Sequence, residues 1–155
     1  MIRHTLLSVI LLTILSGCGG GGERTVPPAQ AAEENSAIFG DYTVYFHALS
    51  TDEVPAEVAK SVGIVRANNR AMLNVSVQKT DGAVAVEAAV TVDAVNLTGQ
   101  SKKITMRKVV QDNAIYYIGE VSVAHRETLI FDINVTPEGS TENFQVRTKR
   151  EYYTD

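Results

Sequence analysis

The stretch "TLIFDINVT" (residues 128–136) decides the fold, because apolar and polar residues alternate in it one by one. Phe131 and Ile133 fall on one face of an extended chain, and Asp132 and Asn134 fall on the other. A period of two residues is the signature of a β-strand. Since only one face is apolar, the pattern predicts a strand of an antiparallel sheet with one buried and one wet side.

The same alternation recurs outward from this stretch in both directions. The further stretches are "DYTVYFHA" (41–48), "MLNVSVQ" (72–78), "VAVEAAVTV" (84–92), "KKITMRKVV" (102–110), "AIYYIGEVSV" (114–123) and "NFQVRTKREYY" (143–153). In the third of these, Val84 begins the inward face. The fourth is the most polar and predicts an edge strand, where lysines discourage pairing with other chains. Gly119 predicts a bulge or a close contact within its strand.

Turn residues separate these stretches. Asp81-Gly82 is a strong hairpin signal, and Gly99-Gln100, Asp112-Asn113 and Pro137-Glu138-Gly139 mark other turns. Helical spacing occurs in "DEVPAEVAKSVG" (52–63), which predicts a short helix or turn between the first two strands.

About seven strands joined mostly by hairpins predict an all-β fold, namely an antiparallel β-sandwich of immunoglobulin-like type with one short helix or turn after the first strand. A closed barrel is the alternative. The chain lacks tryptophan and has a single cysteine, so the paired cysteines of antibody domains are missing. The sequence therefore supports the general architecture alone.

The first residues, "MIRHTLLSVILLTILSGC" (1–18), have the composition of a secretory signal peptide. Arg3 supplies a positive start, and residues 6–15 are almost wholly apolar. A helix that spans a bilayer needs about 20 apolar residues, so this run is too short to be a lasting membrane span.

Leu15-Ser16-Gly17-Cys18 resembles the lipobox of bacterial lipoproteins. The resemblance implies cleavage between Gly17 and Cys18, a diacylglyceryl group on the Cys18 sulfur, and acylation of the new amino group. Several acyl chains on one residue anchor a protein stably, whereas one chain does so only marginally. Gly19 replaces the aspartate of inner-membrane lipoproteins, which by the same resemblance favours the outer membrane.

Three segments follow from these patterns. Residues 1–17 are predicted to be the signal peptide, residues 18–35 the lipidated cysteine and a flexible linker that contains four consecutive glycines, and residues 36–155 the β-sandwich domain. Without Arg3 the mature chain has 14 − 1 = 13 basic and 18 acidic side chains, hence a formal charge of −5. This balance gives no support for nucleic-acid binding.

The domain shows no catalytic motif, and we expect no catalytic residues, no metal site and no cofactor. His47 and His125 fall on different predicted strands without other ligands at metal-binding spacing. A hydrolase built from scattered Ser, His and Asp is the alternative, because catalytic triads are spatial arrangements.

A polar cluster precedes the strand at 72–78. It consists of Arg66, Asn68, Asn69 and Arg70. Such a cluster can form an interaction surface for a ligand or partner. It can equally satisfy the carbonyl groups of a loop, since Asn and Arg do this well.

Four stretches carry a resemblance to a known family. They are "FGDYTVYFHALSTDEVPAEVAKSVGIVRANNRAMLNVSV" (39–77), "NAIYYIGEVSV" (113–123), "ETLIFDINVTPEG" (127–139) and "YYTD" (152–155). They resemble the small secreted proteobacterial proteins that form the domain of unknown function 4426 family. The resemblance covers nearly all of residues 36–155 and implies an exported single domain with a β-sandwich. It implies no catalytic residues.

The sequence thus predicts a non-enzymatic, periplasm-facing lipoprotein of the bacterial envelope whose domain is monomeric. Its expected partners are a membrane, through the lipid on Cys18, and an envelope protein or component, but no nucleic acid. One alternative is a domain that binds a small molecule or ion, with or without hydrolytic activity, in a pocket near Arg66, Arg70 or His47. Another alternative is a passive structural component of the envelope.

Overall fold

The computed structural model describes residues 35–155. The predictions for the signal peptide, for cleavage after Gly17, for lipidation of Cys18 and for most of the linker therefore lie outside the described residues.

Within residues 35–155, the chain forms nine β-strands, one α-helix and one 3-10 turn. In chain order they are β1 (Ser36–Phe39), β2 (Tyr42–Ser50), the 3-10 turn (Thr51–Glu53), α1 (Ala56–Ser61), β3 (Arg70–Lys79), β4 (Ala88–Asn96), β5 (Ser101–Lys102), β6 (Arg107–Gln111), β7 (Ala114–Ser122), β8 (Glu127–Pro137) and β9 (Phe144–Tyr152). All seven predicted stretches contain a strand, and the short strands β1 and β5 are additional.

The strands of the described domain form two sheets. Sheet A has the order β1-β2-β3-β7-β6, and sheet B has the order β5-β4-β8-β9. All neighbouring strands are antiparallel. The prediction of an all-β antiparallel sandwich is therefore confirmed, and so is the short helix between the long strands β2 and β3.

The hydrophobic core lies between the two sheets. The apolar face of "TLIFDINVT" is fully buried there, with Phe131 and Ile133 in β8 facing Val44 in β2 and Val75 in β3, all at most 1% exposed. Burying each such side chain contributes about 1.5–3 kcal/mol. The apolar residues whose alternation predicts the strand are thus the residues whose burial holds the two sheets together.

The prediction for Val84 is wrong, because its side chain is 61% exposed. The chain leaves sheet A after Lys79 and enters sheet B only at Ala88. Between them a short hairpin turns at Gly82, with the Lys79 amide donating to the Val84 carbonyl over 2.8 Å. The crossing between sheets interrupts the alternation, so Val84 faces solvent rather than the core.

The stretch at 102–110 is a second correction, because it is not one strand. Its ends belong to β5 in sheet B and β6 in sheet A, and residues 103–106 cross between the sheets. Both strands are edges, as predicted. The crossing places Ile104 and Met106 against Gly119, where a Cβ would lie 2.5 Å from Met106 Sδ and 2.7 Å from Ile104 Cγ1. The predicted close contact at Gly119 is confirmed.

Helix α1 and its flanking loops cover part of the outer face of sheet A. They bury a second, smaller apolar cluster, which consists of Val54, Ala59, Ile64, Met72 and Ile118. No helix within residues 35–155 has the length and apolar character that crossing a membrane requires.

Candidate functional site

The predicted polar cluster lies in the loop between α1 and β3, where it ties that loop to other parts of the domain. Arg66 Nη2 donates a hydrogen bond of 2.6 Å to the carbonyl oxygen of Asp52. Asn68 Nδ2 donates one of 2.9 Å to the carbonyl oxygen of Thr154, near the end of the chain. These contacts fix both the 3-10 turn and the last residues against the loop.

The other half of the cluster is also in contact with its surroundings. Arg70 Nη1 lies 3.2 Å from Glu120 Oε2 across strands β3 and β7. The carbonyl oxygen of Asn69 accepts a 3.0 Å hydrogen bond from the amide of Val123. The cluster therefore organises the loop, and its role as an interaction surface stays a prediction.

The two histidines lie far apart in the fold. His47 is on the outer face of β2, whereas His125 is in the connection between β7 and β8. His125 Nδ1 lies 2.9 Å from Asp155 Oδ1 and also 3.3 Å from the amide of Thr154. In residues 35–155, no group of three or more His, Cys, Asp or Glu side chains is placed to hold a metal ion.

A different site emerges on the part of the outer face of sheet A that α1 leaves open. Four residues define it and are called the sheet A patch below: Ile38, Tyr45, His47 and Asn74. Ile38 is 69% exposed and Tyr45 is 43% exposed. His47 pairs directly with Asn74 across β2 and β3, and Asn74 pairs in turn with Ile118, which α1 covers. The sheet A patch therefore extends to the edge of the area that α1 covers.

The side-chain oxygen of Asn74 is the unusual group of the sheet A patch. Asn74 Oδ1 is buried, and among the residues that the structure describes it has no hydrogen-bond partner. A buried acceptor without a donor costs roughly 1–3 kcal/mol. Asn74 lines an open cavity of about 180 Å³ together with Asn35, Tyr45, Phe46 and His47. A donor that enters this cavity would relieve the cost.

The outer face of sheet B is built differently, because an ion pair lies at its centre. Arg147 on β9 makes a two-pronged contact with Asp132 on β8, with distances of 2.6 and 2.9 Å. This guanidinium holds the pKa of the Asp132 carboxyl below its usual value. Arg147 is largely exposed. The geometry is that of a solvated strand surface.

Sequence reasoning missed the sheet A patch, although the alternation implies outward positions for three of its four residues. Tyr45 and His47 occupy the outward positions of "DYTVYFHA", and Asn74 occupies an outward position of "MLNVSVQ". The pairing of His47 with Asn74 depends on the register of β2 against β3. No single stretch of sequence contains that register.

The fold and the patch define a small β-sandwich domain with one partly open sheet face. The chain belongs to the family described as "Domain of unknown function (DUF4426)", whose sequence model matches residues 36–155. The chain resembles the crystal structure of a DUF4426 family protein from Pseudomonas aeruginosa PAO1, with 31% identity and a TM-score of 0.67. The match covers 77% of this chain and 94% of that one. A search of curated proteins found no match.

Two structures of FetP from uropathogenic Escherichia coli strain F11 share the fold at 12% identity. The match to a copper-bound FetP variant covers 76% of this chain and 93% of that one, with a TM-score of 0.54. The match to FetP as isolated after periplasmic expression covers 78% and 94%, again with a TM-score of 0.54. At this identity the likeness shows the sandwich fold alone.

Proposed function

We propose that the protein is a lipid-anchored, periplasm-facing lipoprotein of the outer membrane and that its sandwich is a non-enzymatic binding module. The lipobox-like residues 15–18 behind a short apolar run support the anchor. The sheet A patch supports the binding role, and the single observation that carries it is the buried Asn74 Oδ1, which has no hydrogen-bond partner within residues 35–155.

The anchor is tested by the substitution Cys18→Ser in cells. We expect the wild-type protein to sediment with outer membranes and to shift in mass by its acyl chains. The serine variant should accumulate as unprocessed precursor or as soluble protein, because serine lacks the sulfur that receives the diacylglyceryl group. Unchanged processing and sedimentation of the variant would overturn the anchor.

The sheet A patch has the composition of an interaction surface. Tyr45 and Ile38 offer exposed aromatic and aliphatic area, and aromatic residues are enriched in protein interfaces. Asn74 Oδ1 offers a desolvated acceptor beneath the wall of the cavity that Asn74 lines, and a partner's donor reaches it once a neighbouring side chain turns aside. A well-placed polar group inside an apolar surround is the arrangement that gives an interface its specificity.

The chemistry of the sheet A patch defines the partner. The partner is an envelope protein that inserts an N–H donor, from its backbone or a side chain, into the 180 Å³ cavity beside Asn74. Apolar groups beside that donor pack on Tyr45, and groups farther along the strand pack on Ile38.

The binding role is tested by photo-crosslinking in intact cells with matched positions. A photo-reactive amino acid replaces Tyr45 on sheet A or Gln145 on sheet B, which are both outward-facing strand positions. We expect a discrete crosslinked protein from position 45 and none from position 145. Adding Asn74→Leu should reduce the product at position 45 at least fivefold. Equal products at both positions, or no effect of Asn74→Leu, would overturn the proposal.

The same cavity favours a second candidate, a domain that binds a small molecule with an N–H donor. Native mass spectrometry of the protein purified from the periplasm distinguishes this candidate. A bound small molecule that disappears in the Asn74→Leu variant would support it. Finding no bound small molecule on either protein would exclude it in favour of the protein partner.

A further inference from the structure

The two ends of the sandwich differ in charge. The connections at one end, called the turn end, are residues 40–41, 80–87, 112–113 and 138–143. The connections at the other end, called the helix end, are residues 51–69, 97–100 and 123–126, followed by the terminal residues 153–155.

The connections at the turn end are acidic, and among their acids Glu87 is paired with Lys108 over 2.9 Å. The connections contain no lysine or arginine, and their acidic residues are Asp41, Asp81, Glu87, Asp112, Glu138 and Glu142. All of these are exposed. Every connection at this end therefore presents a negative charge to solvent.

The helix end is close to neutral and is partly apolar. Its connections carry the acids Asp52, Glu53, Glu57 and Asp155 against the bases Lys60, Arg66 and Arg126. Leu97, Val65 and Tyr153 project from it with exposed fractions of 70%, 63% and 58%. Lys103 follows Lys102, which pairs with Ala94 two residues before the helix-end terminus of β4, and Lys103 is exposed. Apolar, aromatic and basic side chains together are typical of surfaces that meet a membrane interface.

The chain enters the domain toward the helix end. The carbonyl oxygen of Asn35 accepts a 2.8 Å hydrogen bond from the amide of Phe46, and Ser36 pairs with Tyr45. Since β1 is antiparallel to β2, its first residue, Ser36, lies closer than Phe39 to the end of β2 at Ser50, which is at the helix end. The described part of the chain therefore begins on the helix-end side of β1.

The linker is too long to fix which end of the domain faces the membrane. From Cys18 to Asn35 the chain has 35 − 18 = 17 residues, which reach at most about 58 Å. The nine residues of β4 extend about 30 Å, so the linker can reach past either end of the sandwich. Surface charge and apolar contact decide which end faces an anionic bilayer.

We infer that the anchored domain docks with its helix end on the anionic lipid surface, through Leu97, Arg126 and Lys103, and holds its acidic turn end away from the membrane. This inference rests on the lipid anchor proposed above. Anionic headgroups attract Arg126 and Lys103, and they repel the turn end, where five carboxylates besides the ion-paired Glu87 are exposed, more than the helix end, where four acids stand against three bases. In this orientation the sheet A patch stands at the side of the domain, open to a partner in the periplasm.

The absence of tryptophan from the chain makes a sharp test possible, because each introduced indole is the sole one. Leu97→Trp places it at the helix end, and Val84→Trp places it at the turn end. The two positions are matched, since both are exposed apolar residues in connections. Each lipidated full-length mature variant is reconstituted into phosphatidylethanolamine–phosphatidylglycerol vesicles with brominated acyl chains.

We expect bromine to quench Leu97→Trp emission at least threefold more strongly than Val84→Trp emission. Replacing phosphatidylglycerol with phosphatidylcholine, or adding Lys103→Glu and Arg126→Glu, should bring the ratio close to one. Equal quenching of both indoles in proteins that float with the vesicles would overturn the orientation while leaving the anchor intact. Failure of both variants to float would overturn the anchor itself, and the orientation with it.

Discussion

The two sheets of the sandwich carry contrasting outer faces. On sheet B, Arg147 and Asp132 hold each other in a two-pronged contact at the surface. On sheet A, one part of the face is covered by α1. The open part combines exposed Ile38 and Tyr45 with the oxygen of Asn74, which finds no donor in the part of the chain that the structure describes. A face whose polar groups are satisfied gains little from contact. A face with a buried acceptor that lacks a donor gains much, which is why the partner is expected on sheet A.

The sheets also differ in what holds their edges. The edge of sheet A near β6 depends on close apolar packing, with Gly119 allowing Ile104 and Met106 to approach the β7 backbone. The edge of sheet B near β5 depends on charge and hydrogen bonds around Glu127, which contacts Lys102, Asn96 and the amide of Ala124. Steric packing and polar pairing respond to different substitutions, so the stability of each edge can be tested separately.

The largest effect is expected at the apolar edge. Gly119→Ala adds a Cβ 2.5 Å from Met106 Sδ and close to Ile104, so these side chains or the strand must move. We expect the free energy of unfolding to fall by about 3 kcal/mol, as for overpacked cores. Urea unfolding of the purified protein, followed by circular dichroism, measures it.

Two controls accompany this substitution. Ser122→Ala on the same strand is exposed and should change stability by less than about 0.5 kcal/mol. Adding Met106→Ala to Gly119→Ala makes room for the new Cβ and should recover part of the loss. A Gly119→Ala protein as stable as the wild type would show that the crossing at residues 103–106 is not held by close packing.

The next effect is expected at the polar edge, through Glu127. Burial by itself raises the pKa of this carboxyl, but the hydrogen bonds from Lys102, Ala124 and Asn96 outweigh it and leave the pKa below the ordinary value of 4.5. The Glu127 side chain is 10% exposed, so Glu127→Gln should cost about 2 kcal/mol at pH 7. Parallel urea titrations of both proteins measure the difference.

The pH dependence of this difference has a defined sign. A lowered folded-state pKa means that the charged form of Glu127 stabilises the fold above its unfolded-state pKa near 4.5 and that this contribution disappears as the pH falls through the lowered folded-state pKa. The gap between wild type and Glu127→Gln should therefore shrink below pH 4.5. The exposed Glu142→Gln serves as the control and should show no gap. A gap that stays constant from pH 7 to pH 3 would contradict the ionic role.

The smallest effect on the free energy of unfolding is expected at the sheet A patch, and it is a gain of stability rather than a loss. Asn74→Leu replaces a buried oxygen that has no partner among the described residues with an apolar group of similar volume, so the free energy of unfolding should rise by about 1 kcal/mol. Gln145→Leu on sheet B changes an exposed position and should give no gain. A clear loss of stability in Asn74→Leu would mean that the Asn74 amide is needed by the fold itself. A gain in stability with a loss of crosslinking would mark Asn74 as a residue kept for binding.

Much of the sandwich can be predicted from local sequence. Strand identity, the buried face of "TLIFDINVT", the short helix after β2 and the edge position of the lysine-rich stretch all follow from alternation and turn residues, which act over a few positions. The errors fall where the chain crosses between sheets. Val84 and residues 103–106 continue the alternating pattern, but the backbone changes direction there. It does so because the next strand belongs to the other sheet, which the local pattern does not reveal.

The sequence by itself determined the period of each strand, the turns and the identity of the family. Each of these depends on the order of neighbouring residues, which the printed chain contains. The tertiary structure alone decided that His47 stands opposite Asn74, that α1 stops short of them, and that Asn74 Oδ1 is buried without a donor in the described domain. The physical reason is that strand register and sheet packing bring together residues that are remote in sequence. Whether a buried polar atom finds a hydrogen-bond partner depends on those neighbours.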